Sequence, residues 1–112
     1  MESTLVTHLS GWGNYTRIHY ADGKEKVVCL TLKRALDKTP FSHFIRIHRK
    51  TAVNPFYVTR IRWPANVQAG SARCFIKGSA LPGGQYLTVS RRRIAVVRRQ
   101  FDQYQHITDG HS

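Results

Sequence analysis

Short segments in which apolar and polar residues alternate recur along the chain, and turn-forming residues separate them. In the first segment, Tyr15 to Tyr20, Ile18 faces one side and Arg17 the other, which is the period of two expected of a strand buried on one face. The Asp22-Gly23 pair that follows favours a tight hairpin turn. The mostly apolar segment KVVCL, from Lys26 to Leu30, then predicts the second strand of this hairpin.

The later part of the chain repeats this pattern. Four further strands are predicted: Phe44 to His48, Tyr57 to Trp63, Ala72 to Lys77 and Tyr86 to Val89. In the first of these, Ile45 and Ile47 are expected to face inward. Turn signals separate the segments, among them Asn54-Pro55 and the stretch GSALPGG. Many short strands with such separators are typical of a mainly β domain.

One segment between the early and later strands has helical spacing instead. Leu32, Ala35 and Leu36 recur at intervals that place them on one side of a helix. Thr31 is a suitable N-cap, and Pro40 marks the end of the segment. We therefore expect one short helix here, covering a face of the early strands.

A second helix is predicted near the end of the chain, from Arg91 to about Asp102. Ile94, Val97 and Phe101 fall within a narrow arc of the helical wheel. Ser90 occupies the N-cap position. The predicted architecture is thus mainly β, with a short helix after the early strands and a C-terminal helix.

No internal repeat, low-complexity segment or linker divides the chain, which is interpreted as one domain over residues 1–112. The core is expected over about residues 5–102, with residues 103–112 as a flexible tail. A chain of 112 residues, 41% of them hydrophobic, can bury an ordered core without disulfides or metal ions. Cys29 and Cys74 lie in apolar, strand-like surroundings and are expected to be buried, reduced thiols.

Charge narrows the class of partner. The 18 lysines and arginines outnumber the 6 acidic residues and give a formal net charge of +12. Self-repulsion at this density is usually compensated by a polyanion, and nucleic acid is the leading candidate. No apolar run approaches the ~20 residues of a spanning helix, and the N-terminus lacks a signal-peptide pattern, so we expect a cytoplasmic protein with no membrane partner.

The basic residues form two clusters in the sequence. In FIRIHRK, Arg46, His48, Arg49 and Lys50 lie at the end of a predicted strand. In VSRRR, three arginines occupy the predicted first turn of the C-terminal helix, where the helix dipole is positive and each cation costs on the order of 0.3–1 kcal/mol. Free backbone N–H groups together with these guanidinium groups favour an anion, above all a phosphate, at this end.

Residues for catalysis are sparse. GSALPGG lacks the spacing and the lysine of a phosphate-binding P-loop. The six histidines and two cysteines show no spacing typical of a metal site, and six carboxylates leave little for paired acid–base chemistry. The sequence predicts no enzyme activity, no metal site and no cofactor.

The segment FIRIHRKTAVNP, followed about forty residues further along by LTVSRRR, resembles the LytTR DNA-binding domain of bacterial response regulators of the LytR and AgrA type. GNYTRIHYADG is similar to the family's early strand and turn, and TLKRALDK to its short helix. The resemblance extends over about residues 5–101. It implies an elongated fold of several small β-sheets that binds duplex DNA through loops instead of a recognition helix.

The resemblance also implies a role and a set of contact residues. Family members regulate transcription by contacting successive major grooves, commonly at paired direct repeats in promoters, which suggests a homodimer on the DNA. Carried over by position, the DNA-binding residues are Asn14 and Tyr15 in GNY, His48, Arg49 and Lys50 after FIRI, and Arg91, Arg92 and Arg93 in SRRR.

Two other classes stay open on the residues alone. One is an RNA-binding or ribosome-associated basic module. Such a module typically needs an aromatic stacking platform, whereas Tyr15, Tyr20, Phe44 and Trp63 do not cluster in the sequence. The other is a protein-interaction domain whose basic face meets an acidic partner.

Overall fold

The computed structural model describes residues 5–38, 40–66, 70–78, 85–104 and 107–111, which form two β-sheets and two α-helices. The strands are β1 (Val6–Trp12), β2 (Tyr15–Tyr20), β3 (Glu25–Val28), β4 (Ile45–His48), β5 (Thr51–Val53), β6 (Val58–Trp63), β7 (Ala72–Ile76), β8 (Gln85–Val89) and β9 (Thr108–His111). The helices are α1 (Leu32–Leu36) and α2 (Ile94–Phe101). The molecule measures 38 × 28 × 22 Å along its principal axes. The predicted mainly β architecture with a C-terminal helix is confirmed.

The first sheet has the strand order β3-β2-β1-β5-β4, and each pair of neighbouring strands in it is antiparallel. Trp12 pairs with Tyr15, so the β1–β2 hairpin closes over only two residues. Gly13 has φ +60°, the conformation that the first position of a type II′ turn requires and that glycine adopts without strain. The predicted Asp22-Gly23 turn joins β2 to β3, where the Asp22 carboxylate accepts a hydrogen bond from the Lys24 N–H.

The second sheet has the order β8-β7-β6-β9, in which β9 runs parallel to β6 and the other pairs are antiparallel. Residues 103–112 were expected to form a flexible tail. Within this segment, Thr108–His111 form β9, which is in register with Arg60–Trp63. Pairing with a distant edge strand supplies the backbone hydrogen-bond partners that the polar sequence of this segment does not reveal.

One core lies between the first sheet and α1. Thr31 caps α1 as predicted, since its hydroxyl oxygen accepts a hydrogen bond from the Arg34 N–H. Leu32 and Ala35 are buried against the sheet. The residues of this core are Val6, Leu9, Ile18, Leu32, Ala35, Phe41, Phe44 and Ala52.

A second, larger core joins the two sheets and α2. Ile45 and Ile47 face inward as predicted and pack with Val53 against the second sheet. Ile94, Val97 and Phe101 cover the same core from α2. This packing determines where the polar ends of β4 and α2 lie, because both elements are anchored by their apolar faces.

Besides β9, two more strands and one cysteine differ from the sequence-based expectations. Neither β1 nor β5 was predicted, and Cys29 is exposed whereas Cys74 is buried. The strand predicted to run to Leu30 ends at Val28, and Cys29 therefore lies just past the end of β3. Burial raises the pKa of the Cys74 thiol to about 12. No helix among the described residues is long and apolar enough to cross a membrane.

Candidate nucleic-acid interface

The turn between β4 and β5 presents the first basic cluster to solvent. Because Ile47 is buried, the strand period directs Arg46 and His48 outward, and Arg49 and Lys50 in the turn are exposed. The Arg46 guanidinium donates a hydrogen bond to the carbonyl oxygen of Arg49. The His48 Nδ1 accepts a hydrogen bond of 3.2 Å from the Lys50 N–H. The turn is thus held in shape by its own side chains.

The start of the C-terminal helix lies directly beside this turn. The Ser90 N–H donates a hydrogen bond of 2.8 Å to the Ile47 carbonyl oxygen, which ties the helix start to β4. Residues Arg91–Arg93 form a single 3-10 turn that continues into α2. The Ser90 side chain makes no capping hydrogen bond. The positive end of the helix is therefore available to an anion, and three arginines form the turn that leads into it.

The two basic clusters, distant in sequence, line one cleft of about 590 Å³. Its walls are formed by His48, Arg49, Ser90, Arg92, Arg93 and Val96. Burial, and then repulsion from Arg49, Arg93 and Lys50, lowers the pKa of His48. Burial and repulsion from Arg93 likewise lower the pKa of Arg46. The field in the cleft is positive, and a bound anion would relieve the repulsion among these groups.

The β1–β2 hairpin adjoins the same turn on the opposite side from the helix. The Gly11 N–H donates a hydrogen bond of 2.8 Å to the Lys50 carbonyl oxygen. The Lys50 ammonium lies 5.6 Å from the centroid of the Trp12 ring, within cation–π range. Asn14 is exposed at the hairpin tip, and Tyr15 is 51% exposed. The aromatic at this strand start is therefore accessible to a ligand.

All eight residues expected from the sequence lie on three neighbouring segments, which we call the basic surface: residues 12–15, 48–50 and 90–93. His48, Arg49, Arg92 and Arg93 share the cleft, and Lys50 connects it to the hairpin. Arg91 is exposed but does not line the cleft. Among the described side chains, none of the cations of this surface pairs with a carboxylate.

Trp12, which lies in the basic surface, and Arg46, which lies beside it on β4, were missing from the expected set of contact residues. Trp12 is 60% exposed beside Lys50, and the glycines that flank it in GWGN were the only signal of a turn there. Arg46 belongs to the basic cluster FIRIHRK, but the sequence did not indicate that it supports Arg49 instead of facing a ligand. Its Nε is buried with no hydrogen-bond partner among the described residues.

In the described part of the chain, no three His, Cys, Asp or Glu side chains are grouped as metal ligands would be. The surface presents fixed positive charge and hydrogen-bond donors. Such a surface is suited to binding phosphates and the edges of bases.

The chain as a whole is similar to a protein family and to a solved structure. The model of the LytTr DNA-binding domain family matches residues 4–102. Among solved structures, the chain is similar to the LytTr DNA-binding domain of a protein described as a methyl-accepting/DNA response regulator from Bacillus cereus. The TM-score is 0.70 at 18% sequence identity, over 89% of this chain and 84% of that chain. No curated protein sequence has a significant match.

Proposed function

Because the chain belongs to the LytTr DNA-binding domain family, we propose that it binds double-stranded DNA in a sequence-specific manner and regulates transcription. The observation that carries the proposal is the cleft in which the turn residues His48 and Arg49 meet Arg92 and Arg93 of the helix start. Such a regulator acts on chromosomal DNA, and we expect it in the cytoplasm.

The arrangement of the basic surface suggests how the work is divided. Arg91, Arg92 and Arg93 lie at the positive end of a helix, where phosphate oxygens bind to N–H groups and guanidinium groups together. Arg49 is exposed in the turn between β4 and β5, so its side chain can enter a groove and form paired hydrogen bonds with a guanine edge. The hairpin at Tyr15 then contacts the flanking backbone or groove.

A titration of variants tests these roles. Arg49→Ala and Arg92→Ala are expected to weaken binding to the preferred duplex by about 1–3 kcal/mol each, or roughly fivefold to over a hundredfold in Kd. Lys24→Ala and Lys77→Ala, which remove exposed cations outside the basic surface, serve as matched controls. Equal losses at all four positions, measured by fluorescence anisotropy, would mean diffuse electrostatic binding and would refute a defined contact surface.

Salt dependence provides an independent measure of phosphate contacts. With about 6–10 phosphates neutralised, the logarithm of the binding constant should fall steeply and linearly with the logarithm of the salt concentration. The slope should decrease by about one unit in Arg92→Ala if this residue contacts a phosphate. Duplex binding that ignores salt, or that is no tighter for the preferred duplex than for duplex DNA of random sequence, would exclude the proposed function.

The form of the target site is a further part of the proposal. We expect paired direct repeats, each bound by one copy of the domain, so that two copies occupy a promoter site. Selection from a random duplex library would reveal the motif and the repeat spacing together. Analytical ultracentrifugation with the selected duplex would give the stoichiometry. Recovery of no enriched motif would contradict sequence-specific binding.

A further inference from the structure

The outer face of the second sheet carries a second set of cations, interleaved with aromatic rings. The inward side chains of β6 and β7 belong to the core, and the strand period directs Arg60, Arg62, Arg73 and Phe75 outward, with Tyr86 beside them on β8. We call these five residues the arginine–aromatic face. Arg60 is in register with Phe75 and Phe75 with Tyr86, which forms a row across three strands about 4.8 Å apart.

Cation–π contacts hold this row in order. The Arg60 guanidinium lies 4.4 Å from the centroid of the Phe75 ring, and the Arg73 guanidinium lies 4.9 Å from that of Tyr86. The two ring centroids are 5.8 Å apart. Tyr86 is 49% exposed. A guanidinium stacked on a ring keeps its N–H edges free for phosphate, and it loses less conformational freedom when it binds.

The three strands that carry this face provide no counter-charge for it. The sequences of β6, β7 and β8 contain no acidic residue. Among the described side chains, Arg60, Arg62 and Arg73 form no ion pair with a carboxylate. The pairing of β6 with β7 places these three positive charges on one face, and none of them has a carboxylate partner among the described side chains. This repulsion favours a polyanionic ligand.

The aromatic rings of Phe75 and Tyr86 indicate which class of polyanion this face binds. A duplex hides the faces of its bases, and an acidic peptide would use the arginines but leave Phe75 and Tyr86 unused. Single strands expose both phosphates and base faces, and the proteins that bind them combine a positive surface with aromatic stacking side chains. The aromatic platform that the sequence did not reveal is thus formed by residues on two neighbouring strands.

We propose that the arginine–aromatic face binds single-stranded nucleic acid, independently of the basic surface proposed for duplex DNA. No residue is shared between the two. The test uses the full chain and labelled oligo(dT) and oligo(rU) of about 15 nucleotides, with the preferred duplex measured in parallel. These two probes distinguish DNA from RNA as the source of the strand.

The decisive variant is Phe75→Leu/Tyr86→Leu, which removes both rings but retains apolar side chains. It should weaken binding of the single strands by about tenfold or more and leave duplex binding unchanged, which also shows that it is folded. Arg60→Lys, which keeps the charge but loses the stacked plane, should weaken single-strand binding as well. The matched control is Lys77→Ala, an exposed cation just beyond β7 without a ring contact, and it should change single-strand binding less than threefold.

Three results would overturn the proposal. One is unchanged single-strand affinity in the double leucine variant. Another is loss of single-strand binding in Arg49→Ala or Arg92→Ala, which would assign the strand to the basic surface. The third is equally tight binding of poly-glutamate, which would make this a general anion-binding face. Each leaves the proposed duplex function to be judged by its own titration.

Discussion

His8 is a buried base in the first sheet, and its protonation connects the stability of the fold to pH. The side chain is only 8% exposed. Its ring stacks on that of His19 at a centroid distance of 4.0 Å, and its Nδ1 lies 2.9 Å from the Thr7 hydroxyl. Burial, followed by repulsion from His19, lowers the pKa of His8 to about 3.

The sign of the effect follows from proton linkage. A histidine whose pKa is lowered by folding binds more protons in the unfolded state, so its contribution to stability is present above the ordinary pKa of 6.5 and is lost as the pH falls toward 3. One pKa unit corresponds to about 1.36 kcal/mol. At pH 5, which is about 1.5 pH units below the ordinary pKa, the histidine of the unfolded chain takes up a proton that the buried His8 does not. This lowers the free energy of unfolding by about 2 kcal/mol relative to pH 7.

Urea unfolding followed by tryptophan fluorescence measures this loss directly. The free energy of unfolding should fall between pH 7 and pH 5 by about 2 kcal/mol more in the wild-type protein than in His8→Gln. Leu9→Val is the matched control, because it perturbs the next residue of β1 without changing a titratable group, and it should keep the wild-type pH dependence. Parallel pH profiles for the wild-type protein and His8→Gln would refute the assignment of a buried, neutral His8.

Three further predictions concern single residues. Asn54 is buried, and its Nδ2 donates a hydrogen bond of 2.9 Å to the Val6 carbonyl oxygen. Asn54→Ala should therefore lower the free energy of unfolding by about 1–3 kcal/mol. A loss below about 0.5 kcal/mol in urea titrations would contradict this role. Native protein should react with iodoacetamide at Cys29 only, whereas Cys74 should react after denaturation; modification of both in the native state, detected by mass spectrometry, would be inconsistent with the buried position of Cys74. Gly13→Ala should lower the free energy of unfolding by about 1–2 kcal/mol, because alanine is strained at this positive φ. The added methyl group causes no clash, since no atom lies within 4 Å of it. An unchanged midpoint of thermal unfolding would argue against this turn.

The strands that the sequence predicted are those buried on one face. In β4, Ile45 and Ile47 alternate with exposed residues, and the period of two is visible without any knowledge of neighbours. The missed strand β1 is different, because Val6 to Leu9 are all buried. It is the central strand of the first sheet and its residues are buried on both faces, so the alternation that identifies a strand is absent.

The candidate site was recognisable in parts. Three arginines at a helix start are locally unfavourable, which made Arg91 to Arg93 conspicuous before any neighbour was known. Arg46 and Arg49 are both arginines of the segment FIRIHRK, yet Arg46 supports the turn and Arg49 is exposed. Only the position of each relative to the strand end separates these roles.

The sequence by itself determined most of the local elements and the class of ligand, because hydrophobic period, capping residues and net charge act over a few neighbouring residues or over the chain as a whole. The tertiary structure alone decided that His48 and Arg93 share a cleft, that Phe75 and Tyr86 form a row with Arg60, and that β9 pairs with β6. These are contacts between residues far apart in the chain. They depend on how the two apolar cores pack, and no local pattern encodes that packing.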